Sequence, residues 1–311
     1  MSSPALAVAV LGSGLLADRI AERIAARADL EVTACTPASQ APPVGTECVV
    51  YVPAFAEITG AAPDIVLPQL LRDGFDVVST APLDGHVPPA ELVDACHAGA
   101  STFHATGAFQ STIPARMLRS LAEVTRDIRR VELVEELDFG VSGVYPWDTV
   151  RDIGIGTTET ALAAAAAAAV DGYYAAGLRV LDDAVFAGAA GTAATHRSSV
   201  EVVTDADGAV EKVVVERDLG PTLSYRSIWA APGADRAPLR YQLVTTTGTA
   251  RGTANVRFRF TDGLHPADHL TCVNVVEALR PIHEHGPGIA HRDLSITHLV
   301  PDDRLAIGGA G

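Results

Sequence analysis

The chain has 311 residues, 48% of them apolar and 20% charged, which is enough for one large or two ordinary domains with proper cores. A formal charge of −15 argues against a nucleic-acid partner, since neutralising phosphates takes clustered Lys and Arg. Lysine occurs only at Lys212, so arginine supplies the cations. The four cysteines, Cys35, Cys48, Cys96 and Cys272, form no CxxC pair. They read as buried reduced thiols of a cytoplasmic protein, not as a disulfide or metal framework. The apolar run at 5–11 has no basic residues before it and is soon followed by Asp18-Arg19. Neither a signal peptide nor a membrane span is expected.

"ALAVAVLGSG" (5–14) is a continuous apolar run ending in glycines, the pattern of a strand buried on both faces of a parallel sheet. "LLADRIAERIAARAD" follows, with Ile20, Ile24 and Ala25 at helical spacing. "LEVTACT" (30–36) and "ECVVYVP" (47–53) are further buried-type strands. A short helix is expected over 64–72, with Asp64 as N-cap, Gly74 beyond its end and Pro68 late in its first turn. "FDVVST" (75–80) is the next strand. Pro88-Pro89 start a helix that reaches His97 and stops at Gly99, ahead of the strand "STFHATG" (101–107). Strand–helix–strand alternation over these residues predicts an α/β fold, a doubly wound parallel sheet of βαβ units.

The pattern then changes. After a helix near 111–126, "IRRVELVEELDFGV" (128–141) reads as an antiparallel strand, and an alanine-rich helix occupies about 159–182, capped by Thr157 or Thr158. The segment 198–218 holds a hairpin signal at Asp207-Gly208. "LRYQLVTTTG" (239–248) and "TANVRFRFTDG" (253–263) show partial alternation. This predicts a second α+β domain on a largely antiparallel open sheet. "ADHLTCVNVVEALRPIHEHGPG" (267–288) is a helix ended by Gly286-Pro287-Gly288. The expected division is 1–127, 128–266, and a C-terminal helix and loop over 267–311 returning to the first domain.

Gly12-Ser13-Gly14-Leu15-Leu16-Ala17 is a G-x-G-x-x-A turn between strand and helix. Gly12 makes the sharp turn, Gly14 lets backbone approach a pyrophosphate, and Ala17 allows close helix–strand packing. The phosphates then sit on free helical N–H groups. At the first βα turn of an N-terminal βαβ unit this signals a dinucleotide site. The second strand ends Cys35-Thr36-Pro37-Ala38-Ser39, with neither an acid to hydrogen-bond the NAD ribose nor an arginine to hold a 2′-phosphate. Thr36 and Ser39 offer hydroxyl donors, which tilts the expectation toward NADP over NAD. Ligands bind outside the carboxyl ends of strands in such sheets, so Pro53-Ala54, Thr80-Ala81 and Thr106-Gly107 should ring one crevice.

Taken in order, "FDVVST", "FHATG", "VELVEELDFGVSGVYPWDTVRDIGIG" and "TCVNVVEALRPIHEHGPGI" resemble landmarks of the dihydrodipicolinate-reductase-like family. The nearest branch is the 2,4-diaminopentanoate dehydrogenases and native amine dehydrogenases. The family's glycine-rich turn matches Gly12 to Ala17, its G-T-G-like element matches Ala105-Thr106-Gly107, and its V-N helix matches Val273-Asn274. The resemblance implies a Rossmann domain, a substrate and dimerisation domain, and a returning C-terminal helix. It also implies a homodimer, with hydride transfer between a nicotinamide and a C–N centre. Asn274 joins Gly12, Ser13, Gly14, Leu15, Leu16, Thr36, Pro53, Thr80, Ala81 and Thr106 as candidate cofactor contacts. Two departures stand out. Where the branch carries an acidic stretch to which its catalytic glutamate belongs, this chain has Ala81-Pro82-Leu83-Asp84. Gly107-Ala108-Phe109-Gln110-Ser111 replaces the family's G-x-N-P-G-F segment.

Without that glutamate, four residues stand as candidate proton donors. Asp84 lies one position past the matched acidic pair, in an Asp-Gly turn. His86 has an ordinary pKa near neutrality. Glu136 alternates with Glu135 along a strand, sharing a face with Asp138. Tyr145 offers a hydroxyl beside Pro146-Trp147. His265, His269, His283, His285 and His291 have spacings too loose for a metal centre, and none is expected. The resulting expectation is an NAD(P)H-dependent oxidoreductase reducing a C=N or C=O bond of a small imine, amine or ketone metabolite. The alternatives are a non-redox isomerase, cyclase or lyase, or a nucleotide-sensing binding protein, on the same scaffold.

Overall fold

The computed structural model describes residues 4–53, 62–80, 89–106, 117–118, 127–138, 163–164, 178, 182, 186, 196–207, 210–230, 239–259 and 265–290. Ala81, Asp84, His86, Tyr145 and most of the helices expected over 111–126 and 159–182 lie outside these residues. Met117, Leu118, Ala163, Ala164 and Leu178 are helical, in agreement with those two expected helices.

The first sheet is wholly parallel, in the order β12-β5-β4-β3-β1-β2. Its strands are β1 (Leu6–Gly12), β2 (Leu30–Thr36), β3 (Cys48–Val52), β4 (Asp76–Ser79), β5 (Thr102–Ala105) and β12 (Gly288–Ile289). Every residue of β3 and β4 is buried, the expected signature of strands covered on both faces. Helix α1 (Leu15–Ala25) covers one face. On the same face, α4 (Pro266–His285) packs Cys272, Val275, Leu279 and Ile282 against Val8, Val10, Val50 and Val78. Helices α2 (Ala62–Arg72) and α3 (Pro89–Gly99) cover the other face, over Leu11, Val49, Tyr51, Val77 and Phe103. The α2 helix runs on through Pro68 and begins at Ala62, two residues before the expected start. Strand β12 was not anticipated. It adds a sixth, short edge strand through Gly288 and Ile289 to β5.

The second sheet has the order β11-β10-β6-β9-β8-β7, with β6 (Arg130–Asp138), β7 (His196–Thr204), β8 (Val210–Leu219), β9 (Leu223–Ala230), β10 (Leu239–Thr246) and β11 (Arg251–Phe258). Strand β6 corrects the antiparallel expectation in part. It pairs antiparallel with β10 but parallel with β9, so the sheet is mixed and mostly antiparallel. The hairpin expected over 198–218 forms as β7–β8. One face of this sheet carries Leu133, Leu137, Val213, Tyr225, Trp229, Tyr241 and Leu243, and Ala267 and Leu270 from the first turns of α4 pack against the same cluster. A single helix therefore joins both cores.

Helix α4 runs parallel to α1. Its contacts ascend together along both chains: Arg23 Nη2 lies 2.8 Å from His269 Nδ1, Arg27 Nη1 2.9 Å from Glu277 Oε1, and Arg280 Nη2 donates to the Asp29 carbonyl at 2.6 Å. At its far end His283 Nδ1 sits 2.8 Å from Asp76 Oδ2, while Asp76 Oδ1 accepts the Thr102 N–H at 2.7 Å. This buried carboxylate ties α4, β4 and β5 together. Replacing Asp76 with Ala leaves the Thr102 N–H without its acceptor, at a cost of about 1–3 kcal/mol. Urea unfolding should show that loss, whereas Ile65→Ala, at a site 71% exposed, should fall within about 0.5 kcal/mol of wild type.

Candidate functional site

The first βα turn lies where the sheet order reverses, since β1 has β2 on one side and β3 on the other. Gly12 ends β1 within the core, and a Cβ there would meet the Val52 carbonyl oxygen at 2.4 Å. Only glycine lets the chain turn this close to β3. Gly14 has φ +89° and ψ −179°, a conformation that side-chain-bearing residues rarely adopt. Among the described residues nothing lies within 4 Å of where its Cβ would be, which leaves the backbone open on that side to an approaching group.

Helix α1 starts directly after this turn. Among the described residues no side chain caps it, and its first helical hydrogen bond runs from Asp18 N–H to the Gly14 carbonyl at 3.1 Å. The N–H groups of the first turn therefore point past the sheet edge with the positive end of the helix dipole behind them. Ser13, Gly14 and Leu15 are exposed around this opening, while Leu16 and Ala17 are buried beneath it against β1. The free donors, the open glycine and the close helix–strand packing fit a dinucleotide diphosphate.

The other strand ends line up along the same edge. Pro53 is buried directly after β3. Thr80 N–H donates to the Tyr51 carbonyl at 3.0 Å, its hydroxyl donates to the same oxygen at 3.4 Å, and Thr106 N–H donates to the Ser79 carbonyl at 2.8 Å. Gly12, Pro53, Thr80 and Thr106 are thus brought together. Thr36 stands at the end of β2, paired with Leu11, on the opposite sheet face from α1. Asn274 is buried two turns into α4 rather than at the strand ends. His104 is buried in β5, with Nδ1 2.9 Å from the Ala290 carbonyl, and serves the sheet interior. Cys35 corrects the expectation of four buried thiols: it is exposed, whereas Cys48, Cys96 and Cys272 are buried and all four are free. Burial pushes the Cys272 thiol up to about 12.

On β6 the two adjacent glutamates part to opposite faces, as alternation requires. Glu136, half-buried, is held by Arg240 Nη1 at 3.1 Å from both carboxylate oxygens. Glu135 points into the core and is 1% exposed. Its Oε2 accepts from the Tyr225 hydroxyl at 2.7 Å and the Ser227 hydroxyl at 3.2 Å, and its Oε1 accepts from the Tyr241 hydroxyl at 2.8 Å. Trp229 Nε1 donates to Ser227 Oγ at 2.9 Å. The sequence signal for this network was the glutamate pair itself; its tyrosine partners come from β9 and β10, far away in the chain. Burial, and then the Glu135 carboxylate, raise the Tyr225 phenol well above its ordinary value.

No family model matches the chain, and no curated protein matches it in sequence. Solved structures do share its architecture. An amine dehydrogenase from Mycobacterium smegmatis superposes with a TM-score of 0.62 at 15% identity, over 93% of this chain and 95% of that one. A probable dehydrogenase from Thermotoga maritima reaches 0.59 at 10% identity, over 93% and 92%. A myo-inositol dehydrogenase from Corynebacterium glutamicum reaches 0.52 at 12% identity, over 90% and 89%. The chain has the two-sheet fold of these proteins: a Rossmann-type parallel sheet followed by a mixed, mostly antiparallel one.

The raised Tyr225 phenol has a consequence for stability. A group whose pKa is raised by folding contributes stability that is complete below its unfolded pKa, near 10, and is lost as pH rises further. The unfolding free energy of the wild type should therefore fall as pH climbs past about 10. Tyr225→Phe should flatten that fall, while costing about 1–3 kcal/mol at neutral pH for the hydrogen bond lost by Glu135 Oε2, which keeps the one from Ser227. Urea titrations across the alkaline range check both.

Proposed function

We propose that the chain is a nicotinamide-dependent oxidoreductase that reduces a C=N or C=O bond in a small metabolite, an imine reductase or amine-dehydrogenase-like enzyme. The observation that carries the reading is the Gly12–Gly14 turn at the order reversal of a parallel sheet, open above Gly14 and backed by an uncapped helix. The diphosphate rests on the N–H groups that follow Gly14. Pro53, Thr80, Ala81 and Thr106 flank the remainder of the dinucleotide. Bound NAD(H) or NADP(H) supplies the hydride. The chain's own contribution is orientation and one proton, for which His86, Asp84, Glu136 and Tyr145 are the candidates. The fold shared with dehydrogenases and the motif resemblance to the amine-dehydrogenase branch both support the reading. On that resemblance, the working form is a cytoplasmic homodimer.

Fluorescence titration of the purified protein with NADH and NADPH should show saturable binding. Cyclic imines and ketones should then oxidise the bound nicotinamide. Gly14→Val should weaken dinucleotide binding at least tenfold while leaving cooperative unfolding in place, because it fills the open space and disfavours φ +89°. Absence of binding in the wild type would remove the reading. Sedimentation at the mass of one chain would remove the dimer.

A further inference from the structure

The corner where a dinucleotide's adenosine ribose would lie is formed by the end of β2 and the first turns of α1. Three observations describe its charge. First, no Lys or Arg occurs between Arg27 and Arg72, so β2, the turn after it and β3 bring no cation to this corner. That turn is closed by Gln40 N–H donating to the Pro37 carbonyl at 3.0 Å, and it presents Ser39 and Gln40 to solvent.

Second, the charges of α1 are sorted by side. Arg23 reaches His269 of α4, and Arg19 pairs with Glu22 at 2.7 Å. The contact with His269 places Arg23 on the α4 side of the helix. Ala21, round the helix from Arg23, is partly buried against the core cluster that also takes Val32 of β2. Asp18, three residues before Ala21, neighbours it on the helix surface and is exposed.

Third, the register puts Cys35 opposite Val10, whose side chain faces α1, so Cys35 emerges on the α1 face of the sheet. Asp18 is close enough to Cys35 to raise its thiol further, beyond the larger effect of burial. The second strand lacks the acid usual at its end, and an acid from α1 stands over that end instead.

We propose that this site selects NAD(H) over NADP(H), with Asp18 as the discriminating residue. A carboxylate at a corner to which β2, its following turn and β3 bring no cation repels the extra 2′-phosphate and leaves a neutral 2′-hydroxyl unpenalised. The proposal rests on the dinucleotide site described above and reverses the sequence-based tilt toward NADP from Thr36 and Ser39. Thr36 lies on the opposite face of the sheet from Asp18.

The test is equilibrium binding of NADH and NADPH, measured by fluorescence and calorimetry on the full chain at low and moderate salt. The wild type should bind NADH at least tenfold more tightly than NADPH, and the ratio should shrink as salt rises. Asp18→Asn should tighten NADPH several-fold while changing NADH less than about threefold, and Asp18→Arg should tighten NADPH at least tenfold. Thermal midpoints of the variants confirm folding, and the exposed position makes that outcome expected. NADPH bound as tightly as NADH, or an Asp18→Asn ratio equal to that of the wild type, overturns this proposal alone. Binding of neither dinucleotide overturns it together with the function proposed above.

Discussion

The approach of Gly12 to the Val52 carbonyl sets the geometry of everything at the sheet's carboxyl edge. A methyl group at that position would overlap the oxygen by more than any side-chain shift can relieve, because the obstacle is backbone. With glycine there, β1 ends hard against β3 and the chain turns at once into α1. Leu16, Ala17, Ile20 and Ile24 then come down on Val8 and Val10. Burying four such side chains is worth several kcal/mol at roughly 25 cal/mol per Å² of apolar area. The N-terminus of α1 is thereby fixed by packing and needs no side-chain cap. The donors left over by the missing cap are the feature the function requires.

The first domain was the more legible of the two, and the reason is burial on both faces. Strands covered by helices above and below have no solvent side, so β1 and β3 stand in the sequence as unbroken apolar runs, and β4 keeps Val77-Val78 between the buried Asp76 and Ser79. The second domain hides its pattern. Strand β9 went unanticipated because its inward positions include Ser227 and its outward ones include Ile228, which blurs a period of two. The cause lies on β6. Glu135 is buried, and Tyr225, Ser227 and Tyr241 are the polar groups that make its burial tolerable. One inward acid therefore makes polar positions on two neighbouring strands look like surface. Glu135 and Glu136 are chemically identical in sequence, and only the pairing of β6 with β9 and β10 tells core from exterior.

That network also constrains how the second sheet can assemble. Two tyrosines and a serine from β9 and β10 converge on one carboxylate carried by the strand between them. A slip of one residue on either side would turn a tyrosine to the outer face and leave a carboxylate oxygen buried without its donor. The apolar contacts of Leu133, Leu137 and Leu243 would tolerate small displacements far better. The polar group thus contributes register where the aliphatic ones contribute burial.

The same reasoning decides which of two helix ends can receive an anion. Because α1 and α4 run parallel, both direct their N-termini toward the carboxyl edge of the first sheet. They are finished differently. At α4 the fully buried His265 accepts the Ala267 N–H at 3.1 Å through Nδ1, and the buried Asp268 places a carboxylate in the first turn. That end is capped and its dipole is already answered by negative charge. At α1 the N-cap is Gly14, which has no side chain to offer, and the space above it is open. The acid of its own first turn, Asp18, stands one turn on, past the donors. Of the two ends, the one at Gly14 is accordingly the one suited to an anion. On the proposed selectivity for NAD(H), the negative charge that α1 does carry would bear on the ribose end of the ligand, where a second phosphate would have to sit.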